Sequence, residues 1–163
     1  MPKSYSEYVA RADDGAIDIE GALRIHDGPG IIGDLVADFG DGMLCVLTGI
    51  NRGPVTLSVQ ALLSNPGPAT DLDPWDDICE VSVEAGESGL SGLIVVGGED
   101  PRPERDIRLD RDGPGWYRLR VSARGRSSHY DQVVYEPVES YMIEAWRQEP
   151  TANVVTKMRP RQG

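Results

Sequence analysis

Tyr117-Arg118-Leu119-Arg120-Val121-Ser122-Ala123 alternates apolar and polar residues without a break. Successive side chains of a strand point to opposite faces, so this pattern reads as a strand with one buried side. Tyr117, Leu119, Val121 and Ala123 are expected inward, with Arg118, Arg120 and Ser122 outward toward water. Val55-Thr56-Leu57-Ser58-Val59-Gln60-Ala61 repeats the pattern, and Tyr141-Met142-Ile143-Glu144-Ala145-Trp146 supplies a third strand with Tyr141, Ile143 and Ala145 inward, where Met142 and Trp146 leave open that the other face is partly buried too. Further candidates are Ala16 to Ile25, Met43 to Leu47, Ile78 to Val83, Leu93 to Val96, and Ile107 with Leu109, making about eight strands.

Breakers separate these runs at short intervals: Asp27-Gly28-Pro29-Gly30, Asn51-Arg52-Gly53-Pro54, Asn65-Pro66-Gly67-Pro68 and Asp112-Gly113-Pro114-Gly115. Many short strands punctuated by Gly/Pro turns predict a mainly all-β fold, an antiparallel β-sandwich or jelly-roll-like domain, rather than a parallel α/β sheet. Helix is expected only as a short N-terminal turn or helix over Ser4 to Ala12, where Tyr5, Tyr8, Val9 and Ala12 share helical spacing and Ser6 serves as cap. Tyr117, two residues beyond Gly115 at the start of its strand, has the placement of a tyrosine corner, in which the hydroxyl bonds back to upstream backbone.

A chain of 163 residues fits one domain, 1–163, long enough to bury about two thirds of its unfolded surface. The last strand is expected around Asn153 to Lys157, with a tail at 158–163 that frays. No run of about 18 apolar residues suits a membrane span, and Met1-Pro2-Lys3-Ser4-Tyr5-Ser6-Glu7 lacks the apolar core of a signal peptide. The expected compartment is the cytoplasm. Cys45 and Cys79 both sit in apolar stretches and are expected as buried free thiols, and no CxxC pair or His cluster suggests a metal.

Charge divides unevenly along the chain. Residues 1–100 carry 4 basic and 18 acidic residues, and 101–163 carry 12 and 9, within a total of -11. The acidic candidates centre on Asp71, Asp73, Trp75, Asp76 and Asp77, a loop able to steer a basic protein partner with Trp75 as anchor. The D-x-D-x-D-G order of a calcium loop fails there because Pro74-Trp75 fills its middle. The basic candidates are Arg118 and Arg120 on one strand face and Arg124 and Arg126 in the following turn, a cluster suited either to an anionic ligand or to the chain's own acidic surface. Overall acidity argues against direct nucleic-acid binding.

No catalytic signature stands out. Ser127-Ser128-His129-Tyr130-Asp131 holds triad residue types side by side, but triads assemble from separate parts of a fold, so a polar loop is expected. A G-x-S-x-G elbow, a Walker loop and an H-E-x-x-H motif are all absent. No cofactor is implied.

The run Gly115-Trp116-Tyr117-Arg118-Leu119-Arg120-Val121-Ser122-Ala123-Arg124-Gly125-Arg126, with Glu136-Pro137-Val138-Glu139-Ser140-Tyr141-Met142-Ile143-Glu144-Ala145-Trp146 after it, resembles a signature of small actinobacterial proteins. The resemblance covers about the C-terminal third. It implies a bacterial cytosolic origin and carries no activity or functional residue with it. The expectation is a non-enzymatic interaction protein, an immunity or inhibitor protein meeting a basic partner through an acidic face. The alternatives are an anion-binding or small-molecule-binding sandwich using the arginines and, third, an enzyme of another type.

Overall fold

The alternating runs are strands in the computed structural model, which describes residues 6–38, 43–87, 89–90, 95–96, 102–103 and 108–159. Among these residues the elements are β1 (Ser6–Ala12), β2 (Ala16–Glu20), β3 (Ala22–Ile25), β4 (Gly30–Ile32), β5 (Val36–Asp38), β6 (Met43–Leu47), β7 (Gly53–Ala61), β8 (Asp77–Ala85), β9 (Val95–Val96), β10 (Arg102–Pro103), β11 (Gly115–Arg124), β12 (Ser140–Arg147) and β13 (Val154–Lys157). They form two sheets. The larger runs β10-β9-β1-β7-β12-β11-β8-β13, with β3 also on the edge of β8, and the smaller runs β2-β6-β5-β4. Leu93, Ile107 and the tail from Pro160 lie outside the described residues.

Each sheet contributes its apolar face to a common core. Leu57 and Val59 of β7, Val81 and Val83 of β8, Leu119 and Val121 of β11, and Ile143 of β12 meet Ile17 and Ile19 of β2 and Leu44 and Val46 of β6. Burying one such aliphatic side chain contributes about 1.5–3 kcal/mol, and this face-to-face packing makes the architecture a β-sandwich. Cys45 and Cys79 are buried thiols not joined in a disulfide, and Cys45 Sγ donates to Asp18 Oδ1 at 3.3 Å. Among the described strands every pairing is antiparallel except β7 with β12, which run parallel from Ser140↔Thr56 to Ala145↔Ala61. These two strands lie far apart in sequence, so no tight hairpin dictates their relative direction.

The N-terminal helix does not form. Ser6 to Ala12 is strand β1, paired antiparallel with β7 from Ser6↔Val59 to Ala12↔Gly53. Ala10 and Ala12 are buried while Glu7 and Val9 are exposed, the period of a strand. A helix of some nine residues is marginal alone, whereas pairing with β7 satisfies the backbone and buries both alanines.

Tyr117 does reach back. Its hydroxyl donates to the Gly113 carbonyl at 2.7 Å and accepts from the Asp112 amide at 2.9 Å. Local β geometry thus reproduces the corner in a mixed sheet.

A second difference concerns the outer face of the large sheet, expected to meet water. Arg118, Arg120, Ser82 and Ser122 point outward there, yet all are buried, and Trp146 beside them is buried as the alternative reading of its strand allows. Two irregular segments cover them. The β7–β8 connection brings Gly67 onto Arg120, and residues 148–153, after β12, bring Thr151 and Ala152 onto Arg118.

Candidate functional site

The acidic loop and the arginine cluster, separate in sequence, meet in the fold. Asp77 begins β8 and is buried, and its Oδ2 accepts from Nε and Nη2 of Arg126 at 3.2 and 3.0 Å. Asp77 Oδ1 accepts the Arg159 amide at 3.0 Å. Asp76 Oδ2 accepts the Gly125 amide at 2.9 Å, and Trp75 lies under the Arg124 guanidinium, 5.5 Å from its ring centre. Of the five loop candidates, Asp71 and Asp73 are the exposed ones, and Trp75 and Asp76 are half-buried.

The four arginines do not converge. Arg118 and Arg120 lie on the outer face and share the Glu80 carboxylate, at 3.2 and 3.0 Å. Arg118 also donates to Ser82 Oγ and to the carbonyls of Thr151 and Ala152, while Arg120 stacks on Trp146 and faces Glu144 at 3.9 Å. Two guanidiniums are thus matched by two carboxylates, and the floor carries no net charge. Burial raises the Glu144 carboxyl, Arg120 opposes the shift and Glu80 adds to it. Arg126 sits on the core side with Asp77, and Arg124 projects to the surface. A Gly turn flips the chain between them, with Gly125 at φ +87°.

The opposite use of charge appears at the end of the sandwich reached by Arg126. Its Nη1 donates to the carbonyls of Asp34 and Leu47, tying the β4–β5 turn to the end of β6. Gly49 then passes so close to residue 126 that an added Cβ would stand 1.9 Å from the Arg126 carbonyl oxygen. The amides of Gly49 and Ile50 donate to the buried Glu139 carboxylate at 3.0 and 2.6 Å, and Tyr141 donates its hydroxyl to the same group. Burial, then the neighbouring Glu139 charge, holds the Tyr141 hydroxyl well above its ordinary range. Cys79 is likewise pushed up to about 12, mainly by burial.

On this framework opens a cleft of about 270 Å³, lined by Asp14, Asp34, Thr48, Arg126, Tyr130 and Asp131. The segment after Arg126 forms its wall. Asp131 donates its amide to the Gly49 carbonyl, Asn51 and Arg52 both donate theirs to Gln132, and Val134 donates to Arg52, at 2.8 to 3.4 Å. Asn51 Nδ2 also holds the Asp131 carboxylate at 3.3 Å. Despite this anchoring, Tyr130 is 71% exposed, Val133 54% and Tyr135 89%.

Sequence reasoning placed Tyr130 and Asp131 in a polar loop and passed over their use as a surface. Two tyrosines and Val133 within six residues were the available signal. The triad types there do not form a relay: His129 Nδ1 meets Ser128 Oγ at 3.0 Å, while Asp131 is engaged by Asn51. Among the described residues no group of three or more His, Cys, Asp or Glu is placed to hold a metal ion, and no helix is long and apolar enough to cross a membrane.

No family model matches the chain, and no curated protein matches it. Among solved structures, one described as "Crocagin biosynthetic gene J" is similar at 18% sequence identity, covering 91% of this chain and 100% of that one, with a TM-score of 0.49.

Proposed function

We propose that this chain is a non-enzymatic interaction protein, of the immunity or inhibitor kind, which docks a basic protein partner through its acidic, tyrosine-bearing end. The observation that carries the reading is the loop from Tyr130 to Tyr135. Its backbone is fixed by bonds to Gly49, Asn51 and Arg52, yet it leaves two tyrosines and a valine exposed. Aromatic anchors held in place beforehand lower the ordering cost of association. Asp14, Asp34 and Asp131 line the cleft beside Tyr130, where Arg126 and Arg159 are both turned to Asp77, and these three carboxylates favour a basic surface and speed its encounter. The C-terminal signature of small actinobacterial proteins supports a bacterial cytoplasmic setting.

The anion-binding alternative has less in its favour. Arg118, Arg120 and Arg126 spend their donors on Glu80, Asp77 and backbone carbonyls. An incoming anion would have to displace these.

The test is quantitative co-purification of the tagged full chain from its native cell, scored for a stoichiometric basic protein. Tyr130→Ser with Tyr135→Ser is expected to remove that protein, and Asp71→Asn with Asp73→Asn to leave it bound. Each lost anchor weakens binding by about 2 kcal/mol, roughly 30-fold. A chain that recovers no such partner, or one whose partner ignores the tyrosine changes, overturns the proposal.

A further inference from the structure

We infer that the C-terminal strap, residues 148–157, is exchangeable between two copies of this chain, which then form a reciprocal dimer. The strap ends in β13, whose continuation brings Arg159 to the edge of the cleft beside Tyr130, and the exchange does not depend on docking there.

The strap leaves β12, crosses the outer face over β11 and β8 as residues 148–153, and ends as β13 on the far edge of β8. Its strand is weakly built. β13 pairs with β8 at Val154↔Glu80, Val155↔Cys79 and Lys157↔Ile78, with a register shift between the last two, whereas β11 pairs with β8 over nine residues. Val154 and Val155 are 46% and 47% exposed, so β13 gives up little apolar burial on leaving.

What fastens it is polar. Arg118 donates to the Thr151 carbonyl at 3.1 Å and the Ala152 carbonyl at 2.8 Å. Ser82 Oγ and the Thr151 backbone exchange bonds at 3.3 and 3.2 Å, and Lys157 Nζ reaches the Leu72 carbonyl at 3.1 Å. Just beyond the strap, Arg159 gives its amide and guanidinium to the buried Asp77 at 3.0 and 3.4 Å. Water replaces the bonds of the strap itself when it lifts, so their net hold is far below their strength in isolation. The floor beneath carries Arg118, Arg120, Glu80 and Ser82, groups that tolerate water, beside Trp146, whose indole N–H donates to Gln148 Oε1 at 2.7 Å. The closed form also carries a cost, because Asn153 Oδ1 is buried without a hydrogen-bond partner.

The vacated seat specifies its occupant. Arg118 needs two successive carbonyls, and Ser82 needs an amide and a carbonyl from one residue beside them. The backbone of Thr151 and Ala152 supplies all of these, and a second copy brings the same segment. Reciprocal exchange about a two-fold axis rebuilds every contact without a new interface chemistry. Pro150 in the hinge holds Glu149 to extended conformations, which suits a strap reaching away from its own body.

The register gives a direct test. Glu80→Cys with Val154→Cys places two thiols on paired residues of β8 and β13. The full-length double variant is incubated reduced over a range of concentrations up to millimolar, diluted, oxidised and run on a non-reducing gel. Exchange predicts a covalent dimer whose share rises with incubation concentration and whose 80–154 linkage is seen by mass spectrometry, with none from either single variant. Intramolecular monomer at every concentration overturns the inference. On the unaltered chain, amide exchange at Val154 to Lys157 is expected at least tenfold faster than across β8 and β11, and exchange only with global unfolding overturns it as well.

Discussion

Replacing Arg126 by Met tests whether the buried pair with Asp77 holds this end of the sandwich together. Both side chains are inaccessible, and Arg126 Nε and Nη2 reach Asp77 Oδ2 at 3.2 and 3.0 Å. Methionine keeps most of the aliphatic length and removes the guanidinium. Asp77 then retains its bonds from Arg159, while the carbonyls of Asp34 and Leu47 lose their donor. Removing one partner of a buried pair costs about 3–5 kcal/mol where the other charge is left unpaired, and the Arg159 guanidinium, still 3.4 Å from Asp77, holds the loss to the lower end of that range. With a urea slope of about 1.5–2 kcal/mol per molar for a domain of this size, the unfolding midpoint is expected to fall by about 2 M. The control is Arg52→Met. Arg52 pairs with Asp13 at a similar 2.9 Å, but both side chains are exposed, so about 0–1 kcal/mol is expected. Equal shifts for the two variants would refute the argument that burial, rather than ion pairing itself, sets the magnitude.

Gly49→Ala places a Cβ 1.9 Å from the Arg126 carbonyl oxygen, so a fall in melting temperature of at least 10 °C is expected, measured by calorimetry. Tyr117→Phe removes the bonds to Gly113 and Asp112 while keeping the ring, a loss of about 1–2 kcal/mol in urea titration. Cys79, pushed up from 9.0 to about 12 mainly by burial, stays protonated, so it resists iodoacetamide at pH 8 until the chain unfolds. Its titration also sets the alkaline limit. Above pH 9 the unfolded thiol releases its proton while the folded one keeps it, so the unfolded state binds fewer protons and stability falls with rising pH. Cys79→Ser is expected to flatten that decline between pH 9 and the range where Tyr141, also raised by burial, adds its own.

The core was legible because its signal is local. Leu57, Leu119 and Ile143 each sit in an unbroken alternation, and each is fully buried. Met43 to Leu47 was equally plain. The short strands β4 and β5 were not, since Gly30-Ile31-Ile32 and Val36-Ala37-Asp38 are too brief to show a period. β1 was missed because Tyr8, Val9 and Ala12 satisfy a helical spacing as well as a strand, and only pairing with β7 decides between them. The cover over Arg118 and Arg120 was beyond sequence reasoning for another reason. It is made of carbonyls from Gly67, Thr151 and Ala152, and a backbone carbonyl leaves no mark on residue type.

The charge division along the sequence changes meaning once these contacts are known. Asp77 with Arg126, and Glu80 and Glu144 with Arg118 and Arg120, withdraw equal numbers of opposite charges from solvent. Neutral withdrawal leaves the total untouched, so the full -11 remains for the rest of the chain to present. Arg118, Arg120 and Arg126 are three of the twelve basic residues of 101–163. Around the cleft, Asp14, Asp34 and Asp131 lie beside Tyr130, with Arg159 the cation at its edge. Under the proposed docking, a basic partner meets these carboxylates at an end where, among the described residues, anchored backbone also presents Tyr130, so charge and preorganised aromatic surface act together.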